Sequence, residues 1–202
     1  VDWGSVAPRP QRHLVPIGSN IRPEPPHDYD RARWRQGLGV SEEDLLLCYF
    51  GFLNESKGGD VLIRTLAELR LRERNVKLLM IGGEVGDSDP TNVAYARHIH
   101  QLASEVGVAD RVIWTGYAPA ETVTANLLAA EVCVLPYRDG VSFRRGSLMA
   151  ALAHGLPTIS TRPHSAVDGL VEGQNILLVA VDDASGTADA VDRLSQTPEL
   201  RA

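Results

Sequence analysis

With 202 residues, 44% hydrophobic and 23% charged, the chain can bury one sizeable α/β core and is too apolar for a largely disordered protein. A formal net charge of −6 argues against a general nucleic-acid binder, which would need a net basic face, and no apolar run is long enough to cross a bilayer. Val1 to Pro10 lack the basic start and apolar core of a signal peptide, so the cytoplasm is the expected location; the absence of an initiator Met fits a piece of a longer protein.

Residues 1–43 contain Pro8, Pro10, Pro23, Pro25 and Pro26, which block long helices, and read as an interdomain linker and leading arm with a short strand at His13 to Ile17. From residue 44 to residue 202 the pattern is regular. Short apolar runs at Leu45 to Gly51, Lys77 to Gly82, Arg111 to Gly116, Val132 to Pro136, Pro157 to Thr161 and Ile176 to Ala180 read as strands. Helical segments alternate with them. Val61, Leu62, Thr65, Leu66 and Leu69 form one apolar stripe, and Asn92 to Val106, Pro119 to Ala130, Gly146 to His154 and Thr187 to Ser195 supply the other helices. The loop Gly82 to Asn92, with three glycines and three acids, is expected to be mobile. This alternation predicts a Rossmann-like, doubly wound parallel sheet of about six strands with helices on both faces. Cys48 and Cys133 fall inside apolar strands and are expected to be buried free thiols.

Ligands of such sheets bind beyond the carboxyl ends of the strands, near helix N-termini whose N–H groups lack partners. Three segments lie there. In Gly51-Phe52-Leu53-Asn54-Glu55-Ser56-Lys57-Gly58-Gly59, Lys57 puts a compact positive charge beside a helix start, as a diphosphate would need; as composition alone goes, it is equally a solvated lysine in a turn. The turn has the spacing of neither a Walker loop nor a dinucleotide fingerprint. In Pro136 through Ser147, Arg144 or Arg145 would fork onto phosphate oxygens while the amides of Gly146 and Ser147 approach them; the alternative is a polar loop whose arginines pair with surface acids. In Trp114-Thr115-Gly116-Tyr117, an aromatic ring either lies on a nucleobase or packs structurally. His154, just before Gly155, reads as a helix C-cap, and His13, His98, His100 and His164 show no metal-binding spacing, so no metal is expected.

Taken together, these segments resemble the C-terminal domain of the retaining group 1 (family four type) glycosyltransferases of the GT-B fold. The resemblance is carried by Val15-Pro16-Ile17-Gly18-Ser19-Asn20, Tyr49 through Gly58, Arg111 through Tyr117, Val134-Leu135-Pro136 through Gly155-Leu156-Pro157, and Pro198 through Ala202. It implies that the chain is the donor half of a two-domain enzyme that binds a nucleoside diphosphate sugar, needs no cofactor or metal, and transfers the sugar with retention to an unknown acceptor held by an N-terminal domain of the same chain. Lys57 matches the lysine on the donor diphosphate; Phe52 stands where an arginine is common. The family carries two acids separated by seven residues, the first addressing the sugar and the second the ribose. Counted from Pro136, the first falls on Asp139 and the second on Ser147; counted back from Gly155-Leu156-Pro157, the second falls on Ala150. Neither is acidic.

The site implied is Asp139 as the catalytic acid on the sugar, with Gly51, Asn54, Lys57, Gly116, Tyr117, Gly140, Arg144, Arg145, Gly146 and Ser147 on the donor. The alternatives are a nucleotide-sugar epimerase or sugar phosphorylase on the same fold and a non-catalytic binding or assembly domain, the latter suggested by the missing second acid. A nicotinamide-dependent oxidoreductase lacks the spaced glycines it would need.

Overall fold

The computed structural model describes residues 17–82 and 90–197. The strand expected at His13 to Ile17 falls, but for Ile17, outside them, as do most of the loop Gly82 to Asn92 and the closing segment Pro198 to Ala202.

Six parallel strands form one sheet: β1 (Leu45–Phe50), β2 (Val76–Ile81), β3 (Val112–Trp114), β4 (Val132–Leu135), β5 (Thr158–Thr161) and β6 (Leu177–Val179), in the order β3-β2-β1-β4-β5-β6. Each lies where the sequence predicts it, with ends shifted by one or two residues. The central strands β1, β2 and β4 are nearly all apolar because both their faces are covered. Register is continuous: Leu45 to Phe50 pair one for one with Val76 to Ile81, and Cys48 lies directly beside Cys133. Both cysteines are buried and free.

Among the described residues, six helices cover the two faces. On one, α2 (Gly59–Leu71) packs against α3 (Pro90–Glu105) and α6 (Ala184–Gln196). Its buried residues include Val61, Leu62, Thr65, Leu66 and Leu69, the predicted stripe. On the other, α4 (Ala120–Ala129) packs against α1 (Arg31–Gly37) and meets α5 (Gly146–Ala153) through a His154 Nε2 to Thr124 Oγ1 contact of 3.2 Å. His154 caps α5, its Nδ1 2.7 Å from the carbonyl of Ala150.

The helix α1 is the main addition to the sequence reading, which has residues 1–43 as an arm. Asp30 caps it by accepting from the Arg33 N–H at 2.8 Å. Arg35 then enters the protein almost completely buried and donates to Glu131 (2.8 and 3.0 Å) and to the carbonyls of Ala129, Ser41 and Asp44. Glu131 in turn accepts the Leu46 N–H of β1 at 2.7 Å. A buried charge survives only when paired and fully hydrogen-bonded, and this network meets that condition.

The chain reverses its winding between β1 and β4. There the connections leaving the two strands diverge to opposite sides of the sheet, opening a crevice at the carboxyl edge.

Candidate functional site

Both strands at the reversal end in turns that touch. After β1, a single 3₁₀ turn (Glu55–Lys57) leads into α2 through Gly58, whose φ is +66°. A Cβ at Gly58 would sit 2.3 Å from the carbonyl oxygen of Pro136, the residue that follows β4, so only glycine lets the two turns meet this closely. Arg138 fastens them. Its N–H donates to Ser56 O at 2.9 Å, and its guanidinium donates to Glu55 O (2.7 Å), to Asp60 in the first turn of α2 (2.8 Å) and to Asp182 beyond β6 (2.8 Å). Tyr95 also donates to Asp60, at 2.8 Å, which ties α3 to the same knot.

Tyr137, wholly buried, sits between Pro136 and Arg138. Its hydroxyl lies 2.6 Å from Ser147 Oγ in the first turn of α5. Lys57 Nζ stands 5.0 Å from the centroid of the Tyr137 ring, and Arg145 Cζ stands 4.8 Å from it. Two cations, one from the turn after β1 and one from the turn after β4, therefore share one aromatic ring. Half-burial, then the nearby Arg145 guanidinium, lowers the Lys57 pKa below its ordinary value, with Asp139 acting the other way. Arg145 is the N-cap residue of α5 and forms an ion pair with Asp139. Among the described residues no side chain caps α5, and no acid lies in its first turn, so the first amides and the positive end of the helix dipole are available to an anion. A Cβ built on Gly51 would come within 3.9 Å of Ser147 Oγ, so the end of β1 borders the same point.

Among the expected residues, the structure thus gathers Gly51, Lys57, Asp139, Arg145, Gly146 and Ser147. Asn54, half-buried, accepts from Ser56 Oγ at 2.8 Å and shapes the turn that carries Lys57. Arg144 is exposed, which leaves Arg145 as the arginine at the ring. Gly140 turns away from the group: a Cβ there would lie 2.8 Å from the Arg162 carbonyl, so its role is to let the turn pass the end of β5. Gly116 bridges Gly82 at the same sheet edge, and Tyr117 beyond it is 85% exposed. Trp114 is structural, its ring 4.0 Å from that of His100. Of the two positions counted for the second acid, Ser147 lies at the crevice and Ala150 is fully buried.

Sequence reasoning passed over Arg138 and Tyr137 as individual residues. The partners of Arg138 lie 44 and 78 positions away, and no local signal announces such contacts.

The family model described as "Glycosyl transferases group 1" matches residues 44–197. The chain belongs to that family. It is 30% identical over 195 residues to the GDP-mannose-dependent alpha-(1-6)-phosphatidylinositol monomannoside mannosyltransferase of Mycolicibacterium smegmatis, an alignment covering 94% of this chain and 48% of that protein. The chain spans about half the length of the curated relatives it matches. Among solved structures it resembles the C-terminal domain of the group 1 glycosyltransferase LpcC from Francisella tularensis, with a TM-score of 0.72 and 18% identity over 92% of this chain and 90% of that one. It also resembles Anabaena HepE in complex with UDP and glucose, with a TM-score of 0.76 and 19% identity over 91% of this chain and 47% of the other. These likenesses place the chain in the group 1 glycosyltransferase family, with the α/β, Rossmann-like fold of one GT-B half. Among the described residues no helix is long and apolar enough to cross a membrane, and no cluster of His, Cys, Asp or Glu could hold a metal ion.

Proposed function

We propose that the chain is the donor-binding half of a glycosyltransferase that moves a hexosyl-type sugar from a nucleoside diphosphate sugar to an acceptor, with retention of configuration. The observation that carries this reading is the meeting of Lys57 and Arg145 on Tyr137, beside the uncapped start of α5 and at the winding reversal of the sheet. Two cations and a helix N-terminus together suit a group of two adjacent phosphates. The sugar and nucleotide named for the relatives support the class of donor: one is GDP-mannose-dependent, and another was solved with UDP and glucose.

In the reaction, the bond between the anomeric carbon and the diphosphate oxygen breaks, and its electron pair leaves on the diphosphate. Lys57, Arg145 and the amides of Gly146 and Ser147 hold that oxygen cluster as its charge grows, which stabilises the transition state more than the ground state. Asp139 orients the sugar hydroxyls. An acceptor oxygen, held by an N-terminal domain, bonds to the anomeric carbon from the face the diphosphate leaves, and its proton passes to the departing diphosphate oxygen, so that configuration is retained. Gly51 and Asn54 shape the floor, and Gly116 and Tyr117 form the side toward the base. Ribose recognition is left without an assigned residue, because neither Ser147 nor Ala150, the two positions counted for the second acid, is acidic. We assign the reaction to the cytoplasm, consistent with the two free thiols.

Calorimetric titration of UDP, GDP and ADP into the chain tests the donor half; no binding of any of them would remove it. Incubating the binding nucleotide's sugar donor with the chain alone should give no turnover, whereas the protein completed by an acceptor-binding domain should yield free diphosphate and an acceptor-linked sugar in equal amounts. An epimerised donor with no acceptor product would point instead to an epimerase.

A further inference from the structure

We propose that Tyr137 is a positioning residue of this donor site, its ring holding Lys57 and Arg145 together so that both cations meet one diphosphate. The proposal rests on the donor-site reading above and adds to it a residue that touches no substrate.

The ring is anchored at both ends. The Tyr137 N–H donates to Leu135 O at 2.9 Å, its carbonyl accepts from Thr161 Oγ1, and its hydroxyl pairs with Ser147 Oγ at 2.6 Å. Its backbone end is thus tied to the ends of β4 and β5 and its hydroxyl end to the first turn of α5. Lys57 and Arg145 reach it from the turn after β1 and from the N-cap of α5, ending at nearly equal distances, 5.0 and 4.8 Å, from its centroid. Like charges on long flexible stems would otherwise separate into solvent; half-burial first and the Arg145 charge second lower the Lys57 pKa. Asp139 compensates only Arg145 directly; Lys57 makes no ion pair among the described residues. What faces Lys57 is the negative face of an aromatic quadrupole, a partner that attracts the ammonium without neutralising it. A carboxylate at that place would hold the lysine as firmly and cancel the charge the diphosphate needs. The ring keeps both charges in place and leaves their outer sides to the ligand.

A buried tyrosine could also be simple filling, and the test must separate the two roles. Tyr137→Phe keeps the ring and loses only the hydroxyl, whose partner Ser147 is half-exposed and can bond water. Phenylalanines carrying one, two and three ring fluorines, introduced at position 137, then weaken the quadrupole with almost no change of volume. UDP and GDP are titrated into each variant calorimetrically and the melting temperature is recorded. We expect Tyr137→Phe to keep most of the affinity, and the fluorines to weaken binding stepwise to about tenfold with three, at near-constant melting temperature. In an Arg145→Lys background, which keeps a cation at the ring, the fluorine dependence should persist. Flat or rising affinity across the fluorine series, with the parent chain binding normally, overturns the role of Tyr137 and leaves the donor site standing. Failure of the parent chain to bind either nucleotide overturns the donor site and this proposal together.

Discussion

Asp139 and Arg145 form an ion pair within the turn between β4 and α5, so the acid proposed to address the sugar rests on the guanidinium proposed to take the phosphate. The acid thus competes with the anion for the same arginine, and a bound diphosphate frees the carboxylate next to the sugar it must orient. Asp139→Asn removes the competitor. Because Asp139 is half-exposed, the pair is worth little in free energy, and the variant should bind UDP or GDP roughly two- to fivefold more tightly while losing most transfer activity. Parallel calorimetry and turnover assays would show the split; a loss of both would mean that Asp139 serves only to hold the turn.

Lys57 and Tyr117 occupy very different surroundings. The first is half-buried over the Tyr137 ring, whereas the second is 85% exposed on the far side of β2. Lys57→Ala should weaken diphosphate binding by about tenfold or more, since charge-assisted hydrogen bonds to phosphate are worth about 1.5–3 kcal/mol, and Tyr117→Ala should weaken it less. Equal affinities for Lys57→Ala and the parent would remove Lys57 from the site.

The lowered pKa of Lys57 gives a pH dependence of known sign. Between its folded value and the ordinary lysine value, the unfolded chain holds the extra proton, so the contribution of this group to stability rises with pH across that alkaline window. Lys57→Met should abolish the rise and make the empty chain more stable at neutral pH, where the parent keeps the charge half-buried. A bound diphosphate restores the higher pKa. In the same window, binding should take up protons, detected as a binding enthalpy that changes with the ionisation enthalpy of the buffer. No buffer dependence in the parent would count against the contact.

Gly58 carries the approach of the two turns. Gly58→Ala forces a positive φ on a side chain and drives its Cβ toward the Pro136 carbonyl, for a cost of roughly 2–4 kcal/mol. Urea unfolding should show that loss as a lower midpoint with an unchanged slope. Where the protein still folds, diphosphate affinity should fall as well, because the Lys57 turn moves away from the ring.

The sheet was legible because continuous apolar runs, glycine punctuation and one helical stripe are local signals, and they survive in Leu45–Phe50, Val132–Leu135 and the Val61 to Leu69 face with ends displaced by a residue or two. The helix Arg31–Gly37 was hidden: its sequence is polar, and its place depends on Arg35 finding Glu131, 96 residues away. The site divides in the same way. Lys57 and the Arg144 to Ser147 turn stand at the ends of recognisable strands, so their convergence followed from topology. Which arginine faces inward depends on the path of a turn, and Gly140, at φ +76° against the Arg162 carbonyl, differs from Gly146, which opens α5 with open space beside it. The latch made by Arg138 and the ring of Tyr137 required three-dimensional neighbours to be seen at all.

Cys48 and Cys133 lie side by side at the middle of the sheet, beneath the crevice and sealed from water on both faces. An alkylating reagent can reach them only when β1 and β4 part. Their rate of labelling therefore measures separation of the central strands, and slower labelling in the presence of a nucleotide would report ligand stabilisation without any need for turnover or for an acceptor.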